Sequence, residues 1–66
     1  MMMSDLMPKF ATFHCKTTAG IDGSAVYKGK IYPISIDEER GRVRIHDGNM
    51  FLFTTLDEIR QYGTIE

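Results

Sequence analysis

A single cysteine, Cys15, leaves the chain without an intramolecular disulfide framework or a cysteine-built zinc cage. No apolar run approaches the roughly 20 residues a membrane-spanning helix needs. The opening Met1-Met2-Met3-Ser4-Asp5-Leu6-Met7-Pro8 has neither the basic end nor the small-residue cleavage site of a secretory signal, so the expected location is the cytoplasm. Neither sign of charge dominates, with eight Lys and Arg against nine Asp and Glu and a net charge of −1. Binding nucleic acid through charge alone asks for a clear basic excess, and imitating it asks for a large acidic one. Internal repeats and low-complexity segments are also missing. At 66 residues there is room for one domain and no second, and a domain of that size buries only about 60% of the surface its unfolded chain exposes.

What is present is ordinary for a folded chain: 42% hydrophobic and 26% charged residues. Residues 1–8 are expected to form a flexible leader, with Met1, Met2 and Met3 all able to serve as the start, and Pro8 stops a helix from running onward. Residues 9–66 form the single domain. From Lys9 to Thr18 apolar and polar residues alternate with the period of a strand, placing Ala11, Phe13 and Cys15 on the core face and Thr12, His14 and Lys16 opposite. Ala19 to Ser24 reads as a loop. Ala25 to Ile36 re-enters β structure around a turn at Lys28-Gly29, with Tyr32, Ile34 and Ile36 on one face. Pro33 has no amide to donate, which predicts an edge strand or a local irregularity.

Arg42-Val43-Arg44-Ile45-His46 is the cleanest strand, with Val43 and Ile45 inward. Asp47-Gly48 predicts a type I′ turn leading into Met50-Phe51-Leu52-Phe53. Thr55 and Glu58 have capping-box spacing for one short helical turn, Gly63 ends it, and Thr64-Ile65-Glu66 adds a last strand. The expected core is Phe13, Cys15, Val26, Tyr32, Ile34, Val43, Ile45, Leu52, Leu56 and Ile59, with Met50 beside Leu52. Phe51 and Phe53 are expected to pack under the Leu56–Tyr62 turn; the alternative is an exposed aromatic patch, an interface with another protein or a second copy of the chain. About five short strands with one helical turn near the C-terminus predict an all-β fold closed as a small barrel, which removes exposed edges.

Chemistry-bearing groups are sparse. His14 and Cys15 are adjacent, and on a strand adjacent side chains point to opposite faces, so they form no catalytic pair. His14, His46, Asp22 and Asp47 lack the spacing of a metal site. Gly20, Gly23 and Gly29 are turn glycines rather than a phosphate cradle. No enzyme, metal or cofactor is therefore expected. The informative surface is basic: Arg40, Arg42, Arg44 and His46 recur every second residue, which on one strand projects them together over about 20 Å at roughly 3.3 Å per residue. Guanidinium forks suit an acidic protein surface or a phosphate backbone, and Tyr27 and Phe51 are placed to interleave as stacking platforms. The stripe also reads as a solvated face that keeps a sheet from aggregating.

A leading strand, a loop, the phrase Tyr27-Lys28-Gly29-Lys30-Ile31-Tyr32-Pro33-Ile34, a charged turn and a hairpin through Asp47-Gly48-Asn49 follow one another. This order resembles the small Src-homology-3-like barrels encoded by many bacteriophages and prophages, in which a Gly-Lys-x-Tyr-x-hydrophobic phrase follows the first long loop. Pro33 inside the phrase and the helical segment Leu56–Tyr62 depart from that pattern. The resemblance implies the barrel fold and a phage setting, with a bacterial host protein as target and inhibition of host defence or of a host enzyme as the role. Two functions are thus expected as alternatives. One is a non-enzymatic module binding a host protein through Arg40, Arg42, Arg44, His46, Tyr27, Phe51 and Phe53. The other is a nucleic-acid-binding barrel using Lys30, Arg40, Arg42 and Arg44.

Overall fold

The computed structural model describes residues 9–66; the expected leader, residues 1–8, lies outside the described residues. The elements are β1 (Lys9–Cys15), β2 (Ala19–Ile21), β3 (Ser24–Val26), β4 (Ile31–Asp37), β5 (Arg42–Asp47), β6 (Met50–Thr55), α1 (Leu56–Tyr62) and β7 (Gly63–Ile65). Five strands form an antiparallel sheet in the order β6-β5-β4-β1-β7, and β2-β3 make a separate hairpin. The all-β expectation holds at this level. The sheet is open, with β6 and β7 at its two edges and no ladder between them.

Period-two patterning decides the strand faces. Phe13 and Cys15 of β1, Tyr32, Ile34 and Ile36 of β4, Val43 and Ile45 of β5 and Leu52 of β6 all point to one side. Val26 and Ile21 of the hairpin and Ile59 of α1 cover that side. Nine of the ten expected core residues are buried, and Leu56 packs against them partly exposed. Ile21 joins the core although its segment reads as a loop. Met50 does not: it sits at the end of β6, about half exposed.

The segment expected as a loop is a tight hairpin. Asp22 and Gly23 both have positive φ, 52° and 76°, between the paired Ile21 and Ser24, which is the type I′ requirement. The turn expected at Asp47-Gly48 is shifted by one residue. Asp47 pairs with Met50, so Gly48 and Asn49 are the central residues, and only Gly48 has positive φ. That is the type II′ pattern, with glycine first.

Pro33 lies not on an edge but in β4, between β1 and β5. Thr12, its partner across β1, exchanges both backbone hydrogen bonds with Glu66 at 2.9 and 2.8 Å. Thr12 and Pro33 are therefore a pair without hydrogen bonds between them, and the Pro33 nitrogen points toward β5. The β4–β5 ladder begins only at Ile34 and Ile45, because the next bonded pair, Pro33 with His46, has no amide hydrogen to give; this is the local irregularity expected at Pro33.

The expected helical turn is a seven-residue helix, about two turns at 3.6 residues each. Thr55 caps it, its hydroxyl accepting from the Glu58 amide at 3.1 Å. Glu58 does not complete the box on Thr55; its carboxylate accepts from the Thr54 hydroxyl instead. Asp57 and Glu58 in the first turn and Arg60 in the last suit the helix dipole. Replacing Thr55 with alanine orphans the Glu58 amide and is expected to lower stability by about 1 kcal/mol. A shift in urea midpoint at constant slope measures it, and an unchanged midpoint would mean the cap does not form.

Candidate functional site

The face of the sheet turned away from the core is where the sequence's candidate residues converge. On β5, Arg42, Arg44 and His46 alternate with the buried Val43 and Ile45. On β6, Phe51 and Phe53 alternate with the buried Leu52. The register sets Arg44 opposite Phe53 and His46 opposite Phe51 on one side, and Arg44 opposite Ser35 on the other. Ser35 in turn faces Phe10 of β1. Four of the five strands, β6, β5, β4 and β1, thus contribute one neighbour each to a continuous row, Phe53, Arg44, Ser35 and Phe10.

Phe51 and Phe53 do not pack under α1. The helix buries Ile59 and part of Leu56 on the core side, which leaves the opposite face of β6 uncovered. Phe51 is 50% exposed, Phe53 62% and Phe10 73%. Ile31 at the start of β4 is exposed as well. The alternative, an exposed aromatic patch, is the arrangement found. Phe10 and Ile31 belong to it as well: their outward direction follows from strand phase, but their exposure shows only in the fold, where no element among the described residues covers them.

The cations on this face are organised by the aromatics. The Arg44 guanidinium lies over the Phe51 ring, 4.9 Å from its centroid, within cation–π range. His46 meets the same ring edge-on at 5.0 Å. The His46 Nε2 and the Ser35 hydroxyl are 2.9 Å apart, which fixes the imidazole and satisfies the buried hydroxyl. The Arg44 Nε is buried without an acceptor among the described residues. Arg44 is stacked and has no carboxylate partner among the described residues.

Three expected site residues stand elsewhere. Arg40 is not on the strand, because β5 begins at Arg42 and Gly41 turns the chain with φ of 65°. Its guanidinium lies 3.1 Å from Asp37, and its amide also donates to that carboxyl. The Arg40 side-chain hydrogen bond holds the Asp37 carboxyl below its ordinary range. Tyr27 is exposed on the connection between β3 and β4, where its amide donates to the hydroxyl of the inward-facing Tyr32 at 3.0 Å. Lys30 lies on the same connection, beside Lys28 and Lys16.

The side chains weighed for catalysis, His14 and Cys15, stand apart. The Cys15 thiol is buried and donates to the Thr17 carbonyl at 3.1 Å, while His14 lies 3.3 Å from Glu66 on the other face. Among the described residues no three His, Cys, Asp or Glu side chains gather as metal ligands would. The β6 edge is partly closed by the Asp22 carboxylate, which accepts from the Phe53 amide at 2.9 Å. That contact blunts strand addition at this edge and directs attention to the face. No protein-family model, curated protein or solved structure matches the chain.

Proposed function

We propose that this protein is a non-enzymatic binding module that recognises an acidic, partly apolar surface of a protein partner through the outer face of β5 and β6. The observation that carries the proposal is the convergence of exposed Phe10, Ile31, Phe51 and Phe53 with Arg42 and Arg44 on one sheet face. Exposed apolar groups clustered on a small domain mark interaction sites, and Arg and aromatic side chains are the usual anchors of such sites. Arg44, with no carboxylate partner among the described residues, adds the charge complementarity that selects an acidic partner.

A Src-homology-3-like barrel is the finer fold we propose. Supporting it are the long first connection folded as a hairpin, the charged turn between β4 and β5, the tight β5–β6 hairpin, and a last strand beside β1. The phage setting, a bacterial host protein as target, inhibition as the outcome and the host cytoplasm as the place rest on the resemblance carried by Tyr27–Ile34. A second copy of the chain is a further occupant the same face would suit.

The test is capture of partners from bacterial lysate by the tagged protein, with and without nuclease, beside a Phe51→Ser/Phe53→Ser variant. One protein enriched in stoichiometric amount, insensitive to nuclease and lost with the variant, is the expected result. The rings are half or more exposed, so the variant should cost little beyond the Phe51 contacts with Arg44 and His46, about 1 kcal/mol, and leave the fold intact. Capture that disappears with nuclease, with affinity falling steeply as salt rises, would instead establish the nucleic-acid reading. That reading has less support in the geometry, since Arg40 is engaged by Asp37 and Lys30 lies off the stripe.

A further inference from the structure

Lys16, Lys28 and Lys30 are three of the four lysines of the chain, and they line a single open cleft of about 310 Å³ together with His14 and Gly29. Local backbone geometry brings them together. The Lys30 amide donates to the Tyr27 carbonyl at 3.1 Å, closing a turn in which Gly29 has φ of 89°, the third-position glycine of a type II turn. Gly29 then donates to the Cys15 carbonyl at 2.9 Å, and Cys15 donates to the Lys30 carbonyl at 3.0 Å. Two residues of one strand thus oppose one of the other, a bulge with glycine in its first position. The bulge brings Lys28 and Lys30 to the lining of the same cleft as Lys16, which directly follows Cys15.

These ammonium groups have no partners among the described residues. Lys9 pairs with Glu38 and Arg40 with Asp37, whereas no salt bridge or side-chain hydrogen bond engages Lys16, Lys28 or Lys30. The carboxylate nearby in the fold, Glu66, is held 3.3 Å from His14. A concave surface lined by one sign of charge concentrates ions of the other sign. Lysine binds phosphate as a point charge, without the planar fork that matches a carboxylate. Three independent point charges around one hollow suit an anion that carries several charges along a short chain.

We infer that this cleft binds a small ligand bearing two or more linked phosphates, at a site that borders the outer sheet face at His14 and Ile31 but uses none of Arg42, Arg44, Phe51 or Phe53. The test is titration of the ¹⁵N-labelled protein with tripolyphosphate at constant ionic strength, followed by amide chemical shifts. Saturable shifts confined to Lys16, Lys28, Gly29, Lys30 and their neighbours are expected. A Lys28→Gln/Lys30→Gln variant removes two of the three charges and should weaken binding at least about tenfold, while Arg42→Gln/Arg44→Gln should leave it unchanged. Because the lysines are exposed, the variant's otherwise unchanged spectrum serves as the control for folding. Parallel titration with ATP separates the sources. Equal affinity places recognition in the phosphate chain alone, and tighter binding of ATP assigns a nucleotide. Shifts that do not saturate, that sulfate reproduces at the same ionic strength, or that persist in the double lysine variant would overturn the inference.

Discussion

Replacing Gly63 with alanine is expected to lower stability by about 3 kcal/mol or more, at or above the upper end of ordinary overpacking. A Cβ built on Gly63 falls 2.0 Å from the His14 carbonyl oxygen and 2.8 Å from Cε1 of Phe13. The Gly63 backbone is extended, with φ of 174°, so conformational preference is not the issue. The obstacle is the main chain of β1, which cannot rotate aside as a long side chain would. Accommodating the methyl means lifting β7 off β1 and losing the pairings of Phe13 with Ile65, His14 with Thr64 and Cys15 with Gly63. Roughly 1 kcal/mol moves the melting temperature of a domain this small by about 4–8 °C, so a fall of at least about 12 °C is expected. Gly20→Ala is the matched control, since its Cβ would meet nothing closer than 3.7 Å. A Gly63→Ala melting temperature within a few degrees of the parent would show that β7 does not pair with β1 as described.

The residues that were legible in the sequence share a property: their placement follows from neighbours two to four positions away. The alternation in Phe13 and Cys15, in Tyr32 and Ile34, and in Val43 and Ile45 sets the core face without reference to the rest of the chain. The Thr55 cap likewise needs only Glu58 three residues on. What was not legible depends on which residues pair across a ladder, near or far in sequence. Asp22-Gly23 carries the same two residue types as Asp47-Gly48, yet it forms the type I′ turn while the second turn shifts to Gly48-Asn49, because Asp47 finds Met50 across the ladder. Pro33 shows the limit of a local rule. It predicts an edge or an irregularity without saying which; the strand is central, and the irregularity is on one side only, where the pairing with β5 stops at Ile34.

The site divides in the same way. Arg42, Arg44 and His46 share a face because they share a strand, and period two suffices to say so. The spacing continues to Arg40, but Gly41 breaks the strand first and Asp37 takes the guanidinium. Whether Phe51 and Phe53 are covered depends on the side to which α1 folds. That side is set by Ile59, which is fully buried and draws the helix over the core face. Local pattern gives Phe53 its outward phase, but only the ladder shows Arg44 beside it and Phe10 further along the same row. The lysine cleft is still less visible, since a bulge at Gly29 joins residues twelve and more positions apart.

Ile45→Ala is expected to cost about 2–5 kcal/mol, the range for removing a large aliphatic side chain from a packed core. Ile45 is completely buried at the centre of β5, paired with Ile34 on one side and Leu52 on the other, both also buried. Its row has strands on both sides, so neighbouring elements have little freedom to close the space left behind. A domain of 66 residues has a total stability of roughly 3–10 kcal/mol at about 0.05–0.15 kcal/mol per residue, so the loss is a large share of the whole. Ile45→Val should cost less, about 0.5–1.5 kcal/mol, and the two together give a graded series in urea midpoint at constant slope. The outward neighbours make the contrast sharp. Arg42→Ala, one face over and exposed, should stay within about 0.5 kcal/mol. An Ile45→Ala loss below about 1 kcal/mol would mean that the β5 register is wrong by one residue. Arg44 would then point into the core, and the aromatic and basic face would no longer exist as a surface for a partner.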